Sequence, residues 1–290
     1  MASNQAFEIE LLHETNVTHR ESLECLLANS PDLLSEHKML ELSSPAPTRH
    51  LAVRSADEFV AAAIVARHGQ VWNVELVALA SQEHARMVAF DAAMVELDGE
   101  LVQLWEPSGG LSVELAEAIS RYDLEETRTL LHLTRDLSLN PPQPGELATR
   151  SFSAERDATE WIAVNNLAFA QHKEQGSWTI STLQERMAQP WFDEHLFLLA
   201  GHKTISAWCW CKIDPAGDEE RGEIYVIGTS PSAQGQGFAR AMLELGCAEM
   251  ARRGVAFVDL YVDGDNAPAL ALYGRSGFVE TSRRRSWLFT

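Results

Sequence analysis

The chain has 290 residues, 46% hydrophobic and 22% charged, a globular composition in a length that predicts two domains rather than one. No apolar run approaches the roughly 18 residues needed to cross a membrane. With 42 acidic and 23 basic residues the net charge is −19, which repels nucleic acid and anionic lipid surfaces as general partners.

The opening MASNQAFEIELLHE is acidic where a leader would be basic. Cys25, Cys209, Cys211 and Cys247 are too few for a disulfide framework in a chain this long. A soluble, reduced, cytoplasmic protein is expected. Residues 1–145 hold 9 Lys/Arg and 23 Asp/Glu, whereas residues 146–290 hold 14 and 19. A polyanionic ligand is therefore expected on the second half.

In chain order, EIELL reads as an opening strand and is followed by helical stretches. The apolar runs HLAVR, EFVAAAIVA and VWNVELVALA read as strands, then come a helix over about 85–97 and strand LVQLW. A closing segment runs from Tyr122 through DLEETRTLLHL, and Asn140-Pro-Pro-Gln-Pro-Gly145 follows as a linker that continues neither helix nor central strand.

The second half predicts strand 147–152, helices 155–170 and 179–188, and strands 196–200, 204–213 and 222–229. Helix 237–253, strand 255–262, helix 266–275 and a last strand near 278–289 complete it. Its closing segment, Gly277 with FVETSRRRSWLF, is like that after Tyr122, and the two halves align at an offset near 150 residues. The expectation is two copies of one α/β domain, residues 1–140 and 146–290.

The segment GEIYVIGTSPSAQGQGFARAMLELG, from Gly222, carries the chemistry. An apolar strand enters a loop with Gly235 and Gly237, and a helix starts there. Glycines let the backbone approach a ligand, and free N–H groups at a helix start bind phosphate. A dinucleotide fold is the rival, with Asp259 as the ribose acid. Against it, Arg240 fills the third small position, and six residues separate strand from glycines.

Gln234, Gly237 and Ala239 match the Gln/Arg-x-x-Gly-x-Gly/Ala signature, and the chain resembles the GNAT N-acetyltransferase superfamily there. A second element, Asp265-Asn266 followed by APALALY and GRSGF, also matches. The fold class implied is α/β, two tandem GNAT-type domains, each a mixed, largely antiparallel sheet flanked by helices. The tandem halves, with the strings Asn165-Asn166-LAF, His172-KEQGSWT, Pro190-WFD, GEIYVIG and LYVDGDN, resemble the mycothiol synthase branch of that superfamily. The likeness covers the second half and, more loosely, the first.

That resemblance implies acetyl-CoA as cosubstrate, no metal, and cysteinyl-glucosaminyl-inositol as the small-molecule acceptor. Gln234, Gly235, Gln236, Gly237, Phe238, Ala239 and Arg240 would wrap the pyrophosphate. Ile227, Gly228 and Thr229 would pair with the pantetheine arm. Asn266, Ala267, Pro268, Ala269, Leu270 and Ala271 would line the thiol side, with Asn266 also readable as a plain helix cap. Glu223 would be the general base and amine-binding carboxylate, and Tyr273 the general acid for the departing thiolate.

Glu36, Glu174, Lys212 and Tyr261, with Glu223, would contact the acceptor. A solvated Glu223 and a core Tyr273 are the bland alternatives. Cys209-Trp-Cys211 places both thiols on one strand face and reads as core. The triplet Arg283-Arg284-Arg285 alternates on the last strand, with contact to the CoA ribose phosphate left open.

Over the second copy, the first half's loop reads His84-Ala85-Arg86-Met87-Val88-Ala89, and Asn73 falls opposite Glu223. The first domain is expected to be silent, with Met87 lying where the phosphate backbone would. A monomer is expected, because the tandem already supplies two lobes. The alternatives are acetylation of another small amine or amino acid, or a non-catalytic acyl-CoA-binding regulator.

Overall fold

The computed structural model describes residues 7–12, 17–29, 47–68, 70–107, 110–170, 175–213 and 220–289. The chain divides into two units, residues 1–130 with 283–290, and residues 131–282.

In unit 1 the alternating apolar runs form β1 (Glu8–Leu12), β2 (His50–Ser55), β3 (Glu58–His68), β4 (Val71–Ala78) and β5 (Leu101–Trp105). The first four are antiparallel neighbours, and β4 and β5 are parallel. β3 is apolar on both faces because both are covered. Ala61, Ala63 and Val65 enter one core, Ala62 and Ile64 the other. Helix α1 (Val17–Asn29) supplies Leu23, Leu26 and Leu27 to the second. Helices α2 (Glu83–Glu96) and α3 (Val113–Arg121) cover the first.

Strand β6 (Glu125–Asp136) carries the chain from unit 1 into unit 2. There follow β7 (Thr149–Ser151), α4 (Ala154–Ala168), α5 (Ile180–Met187), β8 (Phe197–Ala200), β9 (Ala207–Lys212) and β10 (Arg221–Thr229). Helix α6 (Phe238–Arg252), β11 (Phe257–Asp263), α7 (Ala267–Arg275) and β12 (Val279–Phe289) complete the order. β7 to β10 are antiparallel, and β10 and β11 are parallel. Each unit thus has the mixed, largely antiparallel sheet expected.

Unit 2 buries two different cores. On one face Trp161, Trp178, Trp191, Trp208 and Trp210 pack with Phe197 beneath α4 and α5. On the other, Met242, Leu243 and Cys247 of α6 meet Cys209, Cys211, Ile224, Val258 and Leu260. Cys209 and Cys211 are fully buried with their sulfurs 3.6 Å apart, and Trp208 and Trp210, which alternate with them, face the other way.

Two features differ from the sequence reading. The units divide within β6 and β12, not at residues 140–145. The proline-rich segment belongs to unit 2 because Arg135, buried with Glu244, donates from Nε to Asn140 O at 3.0 Å and from Nη2 to Pro141 O at 3.2 Å. The Gln143 N–H donates to Glu244 Oε2 at 2.9 Å.

The closing strands are exchanged between repeats. In unit 1 the order is β1-β2-β3-β4-β5-β12, and in unit 2 it is β6-β11-β10-β9-β8-β7. Residues Ser286–Phe289 pair antiparallel with Val102–Trp105, and Trp287 enters the unit 1 core. Arg284 Nη2 lies 2.6 Å from Glu75 Oε2, and Arg285 grips both oxygens of Glu106 at 3.1 and 2.9 Å. A ribose-phosphate role for Arg284 and Arg285 is therefore set aside, since unit 1 carboxylates already neutralise them.

Candidate active site

The corner between β10 and α6 holds the glycine loop. Gly235 and Gly237 adopt φ of 74° and 84°, a region that strains any residue with a Cβ. A Cβ on either would meet nothing within 4 Å, so the backbone there is bare. Gly237 caps α6, leaving the N–H groups of Phe238, Ala239 and Arg240 without helical partners. Gln236 Nε2 donates to Ser232 O at 2.9 Å and braces the turn, beside exposed Gln234. The local structure suits an anionic phosphate.

Upstream, β10 and β11 separate. Their register runs Arg221↔Phe257, Gly222↔Val258 and Glu223↔Asp259, and there it ends. β10 continues to Thr229 and β11 to Asp263. On its other edge β10 stays paired, Ile227, Gly228 and Thr229 facing Cys209, Trp208 and Ala207. The edge toward β11 therefore offers backbone groups to an extended ligand. A bulge at Tyr225, between Ile224 and Val226, re-aims the strand at this point.

Gly228 has a packing reason as well. A Cβ there would lie 2.4 Å from Cζ2 of Trp208. Across the gap, the Asn266 side chain caps α7 by accepting from the Ala269 N–H at 3.2 Å, and Pro268 fits the first turn. Ala267, Pro268 and Ala271 are exposed, and Ala269 and Leu270 half-buried.

One face of the unit 2 sheet carries a lateral row of charge. Lys212 and Glu223 are register partners, with Nζ 3.6 Å from Oε2. The Lys212 ammonium also lies 5.2 Å from the Trp191 ring centroid. Asp259 is Glu223's partner on the other side. Its oxygens receive hydrogen bonds from Arg221 Nε at 2.8 Å and Nη2 at 2.6 Å and from Thr134 Oγ1 at 2.5 Å, and His132 Nε2 lies 3.0 Å from Oδ1 as an ion-pair contact. Tyr261 stacks on His132, centroids 4.8 Å apart and planes 16° from parallel.

Burial raises the Glu223 pKa. Lys212 opposes the shift, Asp259 adds to it, and His132 opposes it. For Asp259 burial acts upward, but His132, Arg221 and Thr134 beside it outweigh burial and hold the carboxyl below its ordinary value.

Tyr273 is buried on the opposite face, in the cluster with Leu260, Val262 and Phe278, and Ile227 packs at its margin. Burial pushes its phenol strongly upward, and the Cys209 thiol adds to the shift. Of the residues expected at the acceptor, Lys212, Glu223 and Tyr261 share one face. Glu36 and Glu174 lie outside the described residues. Asn165 Nδ2 donates to Gln175 O at 2.8 Å, and Asn166 brackets Trp178 through both its O and its N–H, fastening the segment after Glu174 to α4.

His132, Thr134, Arg221 and Asp259 were not singled out for this site from the sequence. Their only signal there is alternation with apolar neighbours on strands. The dinucleotide role for Asp259 gives way to this ion pairing. Among the described residues no group of three or more His, Cys, Asp or Glu is placed to hold a metal.

Unit 1 differs rung by rung. Asn73 faces Ala66 on β3 and Gln103 on β5, where Glu223 faces Lys212 and Asp259. Its β3–β4 ladder runs without a bulge, and β4 stays paired with β5 for two further rungs, Val74↔Leu104 and Glu75↔Trp105. The segment matching the glycine loop is already helix from Glu83. Met87 turns into the core, 8% exposed, rather than over a phosphate path, because helical spacing aligns it with Phe90 and Met94 on the buried face.

A parallel pair that splits beside a glycine loop, inside a mixed sheet, is the architecture of an acetyltransferase fold. The Acetyltransferase (GNAT) family model matches residues 161–278. A GCN5-related N-acetyltransferase from Sphaerobacter thermophilus superposes with a TM-score of 0.68 at 19% identity, covering 97% of this chain and 95% of that one. A tandem GNAT protein from the clavulanic acid biosynthesis pathway gives 0.70 at 13% identity, with 98% of both chains covered.

The mycothiol acetyltransferase of Sanguibacter keddieii is 35% identical over 269 residues, 86% of this chain and 84% of that protein. The chain belongs to the mycothiol acetyltransferase family. The namesake from Geodermatophilus obscurus is 41% identical over 182 residues, 59% of each chain. The matches to those of Streptomyces bingchenggensis and Clavibacter michiganensis span 65% and 63% of those proteins.

Proposed function

We propose that this chain transfers the acetyl group of acetyl-CoA to the cysteinyl amine of 1D-myo-inositol 2-(L-cysteinylamino)-2-deoxy-alpha-D-glucopyranoside, giving mycothiol and CoA. Unit 2 carries the reaction. The observation that supports it most is the split of β10 from β11 at Glu223, continuous with the bare glycine loop. The names of the relatives supply the acceptor.

The residues define a division of labour. The loop Gln234–Arg240 binds the pyrophosphate, and the open edge at Ile227–Thr229 aligns the pantetheine arm. Glu223, whose pKa burial raises, takes the proton of the attacking amine directly or through one water. The amine nitrogen bonds to the acetyl carbon, and a backbone N–H near the bulge meets the carbonyl oxygen as charge develops there. The C–S bond then breaks. Tyr273, held protonated by burial, gives its proton to the sulfur. Lys212 and Tyr261 orient the acceptor, together with Glu36 and Glu174.

Unit 1 is read as catalytically silent, with weak or no CoA binding. The neutral row Ala66, Asn73 and Gln103, the unbroken ladder and the missing loop support this. The whole chain is read as a cytoplasmic monomer that needs no metal.

The test is transfer of labelled acetyl from acetyl-CoA to cysteinyl-glucosaminyl-inositol, run beside simple amines, with CoA stoichiometry measured by calorimetry. Strong preference for the pseudodisaccharide and one CoA per chain are expected. Transfer only to other amines discards the acceptor, and CoA binding without transfer to any amine leaves a regulator. Two CoA per chain would overturn the silence of unit 1.

A further inference from the structure

We propose that His132 and Asp259 are positioning residues of the acetyl transfer, acting on the acceptor end of the site through Glu223 and Tyr261. The inference rests on the function proposed above and goes beyond the residues assigned to it there.

Asp259 is the register partner of Glu223, so the two carboxylates leave the same face of adjacent strands. His132 Nε2 lies 3.0 Å from Asp259 Oδ1, while its Nδ1 lies 3.2 Å from Thr281 Oγ1 and 3.4 Å from Ser282 Oγ. The ring thus sits between the Asp259 carboxylate and the hydroxyls of Thr281 and Ser282. Its face then fixes Tyr261, stacked at 4.8 Å.

The same position in unit 1 shows what a merely structural occupant looks like. Gln103 stands where Asp259 does, and its Nε2 donates to Ser286 Oγ at 2.8 Å, both residues buried. Ser286 lies in the closing segment that aligns with the one containing His132. A neutral amide–hydroxyl pair therefore suffices to join these strands. Charge occupies the position only in the unit that has Glu223.

Charge there acts on Glu223. Facing that carboxylate are Lys212 from β9, Asp259 and Tyr261 from β11, and His132 from β6. Arg221 and Tyr225 stand on its own strand, and the charge of Arg186 on α5 acts on Tyr225. Asp259 alone would favour protonated Glu223, which cannot serve as a base. His132 opposes Asp259 and keeps Glu223 ionised to lower pH.

The two partners therefore push Glu223 in opposite directions, which makes the inference testable. The experiment is the pH profile of kcat/KM for full-length parent and variants with acetyl-CoA and cysteinyl-glucosaminyl-inositol. His132→Gln is expected to move the acid limb to higher pH and to raise the acceptor KM several-fold. Asp259→Asn should move the limb to lower pH. His132→Phe keeps a ring against Tyr261 but has no ring nitrogen to act on Glu223, so it should move the limb upward with the acceptor KM near that of the parent.

The Kd for acetyl-CoA, whose loop is elsewhere, should stay unchanged in all three. Should Asp259→Asn fail to fold, the split between the two His132 variants decides. An active parent whose His132 variants keep its acid limb and KM, or shift it downward, overturns the inference alone. A parent that binds acetyl-CoA but acetylates no amine overturns the function and this inference with it.

Discussion

Glu223 stands on the last rung joining β10 to β11, where its carboxylate is three-quarters shielded yet still reached by solvent, at 25% side-chain exposure. Glu223→Gln removes the base but keeps the shape, so kcat should fall by about 10²–10⁴-fold. The Kd for acetyl-CoA should hold, and a variant as fast as the parent would contradict the assignment. Gly228→Ala tests the neighbouring strand. Its Cβ would lie 2.4 Å from Trp208, so overpacking should cost roughly 1–3 kcal/mol and raise the KM for acetyl-CoA. Chemical denaturation and saturation kinetics together would show it. The corner itself was legible in the sequence, because a strand that turns into a helix through left-handed backbone calls for glycine, as at Gly235 and Gly237. His132 and Asp259 were not, because a polar residue on an alternating strand looks the same facing water or facing a partner.

The elements themselves follow the hydrophobic period closely. Helix 237–253 is observed as Phe238–Arg252, and strand 222–229 as Arg221–Thr229. The bulge at Tyr225 and the split beyond Glu223 left no mark on that period, since Ile224, Val226 and Ile227 are apolar with or without them. The proline-rich segment misled for a different reason. Prolines announce an irregular backbone but say nothing of what it packs on, and here Arg135 and Glu244 tie it down. Glu244→Gln strips the charge from a pair whose side chains are 3% and 7% exposed. The guanidinium is left buried without its counter-ion, and a loss of about 3 kcal/mol is expected. An unchanged melting temperature would show the pair to be incidental.

At the scale of the whole chain, the exchange of closing strands was hidden by the repeat. The segments after Tyr122 and Gly277 are alike, so either suits either sheet on pattern alone. Residues 1–140 expressed alone would lack Trp287 from the core and leave buried Glu75 and Glu106 without Arg284 and Arg285. That fragment should show no cooperative melt, and a sharp calorimetric transition from it would be contrary evidence.

The same strand sets an order of events during synthesis. Unit 1 is made first but cannot close its sheet until residues 283–289 have been translated, behind all of unit 2. At ordinary elongation rates that leaves β5 with an open edge, and Glu75 and Glu106 without Arg284 and Arg285, for ~10–30 s. The half of the protein that begins first is the half that finishes last, and for that interval it depends on whatever in the cell shields an unpaired strand.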